Sequence, residues 1–382
     1  MRIFQDSLFS EDCSKNGIDF SSKYLSSHLI TYLGNKRKLL PFLNNAIQEI
    51  KIELNKDSLV MLDGFAGSGV VSRMMKYHAS KLISNDIESY TYTVNKAYLA
   101  NFDKKNLERL QRSIEYLNKN KYRHTASDYF ITHHYSPKND HNIMPGERVF
   151  YTRANALAID NIRYLIDSEI DPDLRIFCLA NLIVKASIHN NTSGVFKGFH
   201  KKDGIGHFGG KGENALNRIK GEIILDVPIF SSRNCEVQVH QEDTNKLVTH
   251  LEKVDVAYFD PPYNQHPYGS NYFMLNIINE GKQVEIQDGV SGIVKEWNKS
   301  AYNKKKEAIE AMDELVKNTK AKYILISYND EGIIPLPSFE RILSQYGEWH
   351  VKEKDYNTYR GSRNLNNRNI KVKELLWVLK KH

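Results

Sequence analysis

Ser58-Leu59-Val60-Met61-Leu62-Asp63-Gly64-Phe65-Ala66-Gly67-Ser68-Gly69-Val70-Val71 decides the reading of the fold. Ser58 to Leu62 is an apolar run of strand length that stops at an acid, and the glycines after it permit a tight turn. Val70, Val71, Met74 and Met75 then continue as a helix. Lys81-Leu82-Ile83-Ser84-Asn85-Asp86 repeats the pattern of a strand ending in an acid, 23 residues after Asp63, and leads into Tyr90, Val94, Tyr98 and Leu99 on a second helix. Two strand–helix units in succession predict an α/β fold built on a parallel sheet with helical crossovers, and they exclude a sandwich.

Upstream, the first 22 residues are weakly determined, and Tyr32-Leu33-Gly34-Asn35-Lys36-Arg37-Lys38 is a basic turn leading into a helix through Leu39, Phe42, Leu43, Ile47 and Ile50. Downstream, the strand–helix rhythm is lost after residue 106. Helical stretches near 105–118 and 153–190 surround a tract rich in His, Asn and Pro. Eight of the 21 glycines fall between Gly194 and Gly221, interleaved with lysines, which predicts a mobile basic surface there. Strand patterns return at 236–239, 254–259 and 323–328 and close with 375–379. The expected organisation is residues 1–106 as the amino-terminal element and first half of the sheet, 107–235 as a large, mostly helical insertion, and 236–382 as the second half.

Composition agrees with a folded protein of this size. A chain of 382 residues allows two or three domains, or one enlarged by an insertion, and 41% hydrophobic with 26% charged residues excludes disordered and collagenous classes. Fifty-three Lys and Arg against 46 Asp and Glu leave +7, a surplus that permits a polyanionic partner without establishing one. Cys13, Cys178 and Cys235 are odd in number and far apart, which fits neither a disulfide framework nor a zinc pattern and points to a reducing cytoplasm. The amino-terminal residues lack a secretory apolar stretch, and no uncharged apolar run reaches membrane-spanning length, so no membrane partner is expected.

The glycine loop differs from nucleotide-binding loops in its opening acid. Asp63 would sit poorly against a pyrophosphate but can accept a hydrogen bond or pair with a cationic amino group, and Gly69-Val70-Val71 lacks the Lys and Ser or Thr that close a Walker A loop. Asp86 stands where acids meet ribose hydroxyls in nucleotide sites. Each acid alone could equally be a cap or a satisfied turn residue; together with a third at a strand end, Asp260, they favour an adenosine-containing ligand.

Val256-Ala257-Tyr258-Phe259 reads as a buried strand that stops at Asp260-Pro261-Pro262-Tyr263. Two prolines remove two donors and fix both φ angles, so the loop is rigid. It can aim a carboxylate, the Pro261 carbonyl and an aromatic ring at one planar heterocycle with an exocyclic amine: Asp260 and the carbonyl accept the two N–H bonds and Tyr263 stacks. The plainer reading is a proline-rich strand terminator with a surface tyrosine.

On these motifs the sequence resembles the D12 class of N6-adenine-specific DNA methyltransferases, over about Tyr32 to Leu379. The resemblance implies a Rossmann-like S-adenosylmethionine-dependent methyltransferase sheet, with S-adenosylhomocysteine as product and no metal. Asp260, Pro261, Pro262 and Tyr263 match the catalytic tetrad, whose acid form is similar to adenine rather than cytosine N4 enzymes. Asp63, Phe65, Ala66, Gly67, Ser68 and Gly69 match the cofactor loop, and Tyr32 and Lys36 match the element bordering the methionine end. Asp86 and Ile87 match the ribose and adenine element, Asp260 also faces the cofactor, and Asp243, 17 residues before the tetrad, stands like the acid that meets the cofactor's adenine. Glu252 is the weaker equivalent of Asp243, and Thr244 replaces a frequent aromatic. Cofactor loop, insertion and catalytic loop follow in the alpha order, with the insertion as target recognition domain. The run Tyr263 to Tyr272 is similar to type II restriction–modification methylases of the FokI-related group.

The implied reaction is site-specific N6 methylation of adenine in double-stranded DNA, with the base rotated out of the helix, and a cognate restriction endonuclease is a possible partner. Direct displacement needs no covalent intermediate, in keeping with the lack of a persuasive cysteine nucleophile. Candidate DNA contacts are Lys197, Lys201, Lys202 and Lys211 in the glycine segment, and Arg360, Arg363, Asn364 and Arg368 near the carboxyl end. Against these stand a flexible surface loop and an ordinary solvated hairpin. His124, His133, His134 and His141, with Asp128 and Asp140, match no compact metal spacing. Alternatives are an adenine methyltransferase of RNA, a cytosine N4 enzyme, a methyltransferase of a protein amide, or a binding module without catalysis.

Overall fold

The computed structural model describes residues 9–10, 13–14, 17–123, 128–357 and 371–382. Seven strands form the central sheet: β1 (Leu59–Asp63), β2 (Ala79–Asn85), β3 (Glu236–His240), β4 (Val254–Phe259), β5 (Ala321–Asn329), β6 (Gly347–Asn357) and β7 (Lys371–Lys381). Their order is β6-β7-β5-β4-β1-β2-β3. Neighbours from β3 to β5 run parallel, and β7 is antiparallel to both β5 and β6. The order reverses between β1 and β4, whose registers place Tyr258 beside Asp63, and open α/β sheets bind ligands beyond the strand carboxyl ends at such a point.

All six residues of β4 are buried, as expected of a parallel strand covered on both faces. The side-chain period of two sorts the sheet into two cores. Leu62, Ile83, Ala257 and Ile324 pack on one face with Met312, Leu315 and Phe339. Met61, Leu82, Val256 and Leu325 pack on the other with Leu43, Ile47 and Met74.

Among the described residues, the α-helices of six or more residues are α1 (Leu40–Leu54), α2 (Val70–Met75), α3 (Ser89–Tyr98), α4 (Lys104–Asn120), α5 (Phe130–Tyr135), α6 (Arg153–Glu169), α7 (Pro172–Ile188), α8 (Thr244–His250), α9 (Phe273–Glu280), α10 (Lys305–Asn318) and α11 (Leu336–Leu343). Helices α4 to α7 lie between β2 and β3 in the chain. The Thr152 side chain caps α6, accepting from Asn155 N at 3.2 Å, and Asp171-Pro172 separates α6 from α7. These helices do not make a core of their own: Leu110, Ile159 and Ile183 share one cluster with Tyr90 and Val94 of α3 and with Phe273 and Ile277 of α9.

The glycine-dense segment differs from the mobile surface expected of it. Phe196, Phe208 and Ile219 are buried, and the Asn191 amide ties the segment to Val149 O at 2.8 Å and His207 O at 3.1 Å. Glycines serve its turns, with Gly204 and Gly209 both at φ 83°, while three aromatic or aliphatic anchors hold it down. Among the described residues, no helix is long and apolar enough to cross a membrane.

Candidate active site

The loop after β1 turns back on itself because glycines occupy its crowded positions. A Cβ at Gly64 would lie 2.7 Å from the Phe259 ring, and one at Gly67, at φ 49°, would lie 2.7 Å from the Tyr32 ring. Ala66 N donates to Asn85 O at 2.9 Å and Gly67 N to Asp86 Oδ2 at 2.8 Å, so the first loop is laced to the end of β2. The other Asp86 oxygen accepts from Glu88 N at 3.0 Å. Burial still raises the Asp86 carboxyl above the ordinary range, against these bonds.

Asp63 is fully buried beneath the loop. One oxygen accepts from the Ser72 hydroxyl at 2.6 Å and the other has no hydrogen-bond partner. Burial pushes this carboxyl up to about 7.

A cleft of about 890 Å³, including its open mouth, lies over the carboxyl ends of β1 and β4. Tyr32, Lys36, Phe65, Ala66, Gly67, Ser68, Asp86, Ile87, Asp243 and Asp260 line it, as does Pro262. Asp63, Gly69, Pro261 and Tyr263 support the wall without lining it. Asp243 caps α8 by accepting from Lys246 N at 3.2 Å, whereas Glu252 stands 91% exposed on its side chain beside Lys81. Thr244 is a strut, donating to Gly64 O at 2.6 Å. The aromatic surface there comes from Phe65 and Tyr302, edge to face with centroids 5.4 Å apart.

At the catalytic-loop end, Lys36 Nζ stands 2.6 Å from Glu374 Oε1 and 3.2 Å from Asp260 Oδ1, all three side chains being largely buried. Burial alone would lower the Lys36 ammonium, but Asp260 and Glu374 outweigh it and hold it well above its ordinary range. Burial pushes the Asp260 carboxyl up to about 7, opposed by Lys36 and assisted by Glu374. Tyr263 meets Tyr328 edge-on at 6.2 Å, and its ring lies 5.6 Å from Lys36 Nζ. Gly34, at φ 74°, makes room for it: a Cβ there would come within 3.0 Å of the Tyr263 hydroxyl. Tyr32, Tyr268 and Tyr272 form a cluster of nearly parallel rings, Tyr32 lying 5.0 Å from each partner and the partners 5.9 Å from each other, and both partners bind the Leu33 backbone through their hydroxyls.

Several residues of this cleft escaped the sequence reading. Glu88, Asn298, Tyr302 and Asn303 line it, and Glu374 reaches it through Lys36. Glu88 is buried, accepts from the Asn276 amide at 2.6 Å, and is pushed up to about 7 by burial. Its position two residues after Asp86 was a usable signal; the loop carrying Asn298 to Asn303 offered none.

Lys197, Lys201, Lys202 and Lys211 are not among the residues that line this cleft. Lys201 and Lys202 are exposed on a two-stranded hairpin with Ile205–Gly206, with Lys201 Nζ 5.2 Å over the Phe199 ring. Lys197 is half-buried, and its carbonyl accepts from the Ser291 hydroxyl. Lys211 lies on a short 3-10 turn, its side chain outside the described residues. Arg360, Arg363, Asn364 and Arg368, which fall between β6 and β7 in the chain, also lie outside the described residues, and so does His124. Among the described residues no group of three His, Cys, Asp or Glu is placed to hold a metal ion.

Residues 32–339 match the family model for D12 class N6 adenine-specific DNA methyltransferases. The chain is similar to the Type II methyltransferase M.NlaIII of Neisseria lactamica, 29% identical over 92% of this chain and 99% of that protein. It is likewise similar to the Type II methyltransferase M.CviAII of Paramecium bursaria Chlorella virus 1, 31% identical over 87% and 93%. Similarity to the Type II methyltransferase M.FokI of Planomicrobium okeanokoites, 30% identical, covers 83% of this chain and 47% of that protein. The glycine loop, the Asp-Pro-Pro-Tyr loop and the cleft between them all fall within the matched span, and the chain belongs to the D12 class N6 adenine-specific DNA methyltransferase family.

Proposed function

We propose that the protein is a site-specific DNA adenine N6-methyltransferase that uses S-adenosylmethionine and protects DNA within a restriction–modification system. The observation that carries this reading is the reversal of strand order between β1 and β4, which sets the glycine loop and Asp260 around one cleft. The residues fit the cofactor. Phe65 and Tyr302 offer apolar faces for its adenine, Asp86 keeps unused lone pairs for ribose hydroxyls, and Asp243 stands at the adenine end. The buried Asn303 Oδ1, which has no hydrogen-bond partner and belongs to a residue of the cleft, is a further acceptor.

Bound S-adenosylmethionine would supply a sulfonium methyl as the electrophile: adenine N6 would form the new C–N bond as the C–S bond breaks with its electron pair staying on sulfur, and the displaced N6 proton would pass to the Asp260 carboxylate and on to solvent. Asp260 and the Pro261 carbonyl hold the amine by its two N–H groups, keeping the nitrogen lone pair directed at the methyl. Tyr263 supports the flipped base, offsetting part of the few kcal/mol of lost stacking and pairing. Residues 107–235 are the target recognition domain, with Lys197, Lys201, Lys202 and Lys211 toward phosphates, and Arg360, Arg363, Asn364 and Arg368 are further DNA contacts. The run Tyr263 to Tyr272 sets the chain beside the FokI-related group. Buried, unpaired Cys178 and Cys235 suit a cytoplasmic enzyme, and a nuclease cutting the same site is the expected partner.

Labelled S-adenosylmethionine incubated with duplex DNA, matched RNA and protein, followed by nucleoside analysis, tests this. N6-methyladenine in DNA supports the reading. Transfer only to RNA or protein overturns it, and N4-methylcytosine as sole product refutes the target base.

A further inference from the structure

Three charged side chains meet at the floor of the cleft, and their distances are unequal. Lys36 Nζ donates its hydrogen bond to Glu374 Oε1 at 2.6 Å and stands in ion-pair contact with Asp260 Oδ1 at 3.2 Å, an oxygen that is buried without a hydrogen bond. The chain topology makes this meeting possible. Because β7 is antiparallel to β5, Glu374 near its start pairs in register with Asn329, the last residue of β5, and so reaches the carboxyl edge where β4 delivers Asp260.

We infer that Glu374 is a positioning residue that draws the Lys36 hydrogen bond away from Asp260, so that Asp260 feels the cation while its oxygens stay available to the target amine. This rests on the methyltransferase reading for its consequence in turnover, but the geometry it describes belongs to the protein alone. An acid paired fully with lysine would spend its acceptor capacity on that partner. A buried acid with no cation nearby would instead take up a proton at neutral pH, giving up its charge and part of that capacity. Sharing one lysine between two acids leaves Asp260 between these limits, its carboxyl pushed up to about 7 by burial, with Lys36 opposing and Glu374 assisting. Among the described residues, the other titratable groups acting on this cluster are Tyr258 and Tyr268, whose phenols burial holds well above their ordinary range, Tyr263, and Asp63, which is buried across the β1–β4 junction.

The test is Glu374→Gln, read first without turnover. In protein carrying carbon-13 aspartate, with Asp260→Asn assigning the signal, the Asp260 carboxyl titration should move to lower pH by about one unit or more. A negative charge is removed and Lys36 turns fully to Asp260. An unmoved titration, or one moved to higher pH, overturns the inference whatever the methyl acceptor proves to be. In turnover, the acid limb of the kcat profile should follow to lower pH while the plateau kcat drops about tenfold, the effect of one hydrogen bond diverted. An unchanged plateau also overturns it. Glu374→Asp keeps the charge and guards against a folding defect in the amide variant: it should leave the Asp260 titration in place, and a shift as large as that of Glu374→Gln would refute the argument. Failure of the wild-type enzyme to methylate adenine would count against the proposed function and leave the carboxyl titration to judge Glu374.

Discussion

Gly67→Ala puts the glycine loop after β1 under a measurable load. Gly67 has φ 49°, and a Cβ there lands 2.7 Å from one Tyr32 ring carbon and 3.1 Å from another. The ring is held in a cluster with Tyr268 and Tyr272, its centroid 5.0 Å from each, and cannot move aside without giving up those contacts. An L-residue in the left-handed region costs about 1–2 kcal/mol, and a methyl group forced into a filled site adds about 1–3 kcal/mol, for a total of about 2–5 kcal/mol of unfolding free energy. Tyr32→Ala removes the obstacle at a cost of its own, about 0.5–1.5 kcal/mol for each aromatic pair lost. In the double variant the clash vanishes and only the backbone cost remains. A urea-denaturation cycle over the four proteins should therefore give a favourable coupling of about 1–3 kcal/mol. Additivity within about 0.5 kcal/mol would refute the reasoning. It would mean that the loop relaxes away from Tyr32, and that the stack does not set the cleft wall. Titration calorimetry on the same set should show Gly67→Ala weakening S-adenosylmethionine binding about tenfold or more, because Gly67 N must also keep its bond to Asp86.

Asp260→Ala should reduce kcat about 10²–10⁴-fold while leaving S-adenosylmethionine binding within a few-fold; full turnover in that variant would remove Asp260 from the chemistry. Tyr302→Leu gives up the edge-to-face contact with Phe65, worth about 0.5–1.5 kcal/mol, and should weaken cofactor binding about threefold to tenfold by calorimetry, with kcat nearly unchanged. Asp63 has its carboxyl raised to about 7 in the fold, so its favourable contribution is complete below the ordinary aspartate range and is lost as pH rises through 7. Asp63→Asn should accordingly flatten the fall of Tm between about pH 4 and pH 7 in scanning calorimetry, and an unchanged slope would assign that fall to other groups.

Much of the sheet was legible because its central strands are buried on both faces and end at acids. Leu59–Asp63, Ala79–Asn85 and Val254–Phe259 could be read as short apolar runs without any partner in view. Strand β6 could not, since Glu348, Lys352 and Lys354 interrupt Trp349 and Val351 as befits the exposed edge of a sheet. In the site, the glycine loop and Asp-Pro-Pro-Tyr were visible because local backbone demands dictate their residues. Glu374 was hidden by distance: its partner Lys36 is 338 positions away, and only the antiparallel final strand brings the two together. A single acid ahead of Leu375, Leu376 and Trp377 was the one clue to it. The glycine segment misled because composition reports turns and charge, whereas its buried Phe196, Phe208 and Ile219 are spread too far apart to form a periodic pattern.

The shared core of the inserted helices has a bearing on how such an enzyme could change its target in evolution. Leu110, Ile159 and Ile183 interlock with Tyr90 and Val94, and with Phe273 of the helix that follows the catalytic loop. Exchanging the whole insertion for a homologous one would strip apolar neighbours from the helix after Asp86 and from the helix after Asp260–Tyr263 at once. Substitutions at exposed residues, such as Lys201 and Lys202, leave that shared core untouched, so this part of the chain accommodates change more readily by drift at its surface than by shuffling of a cassette.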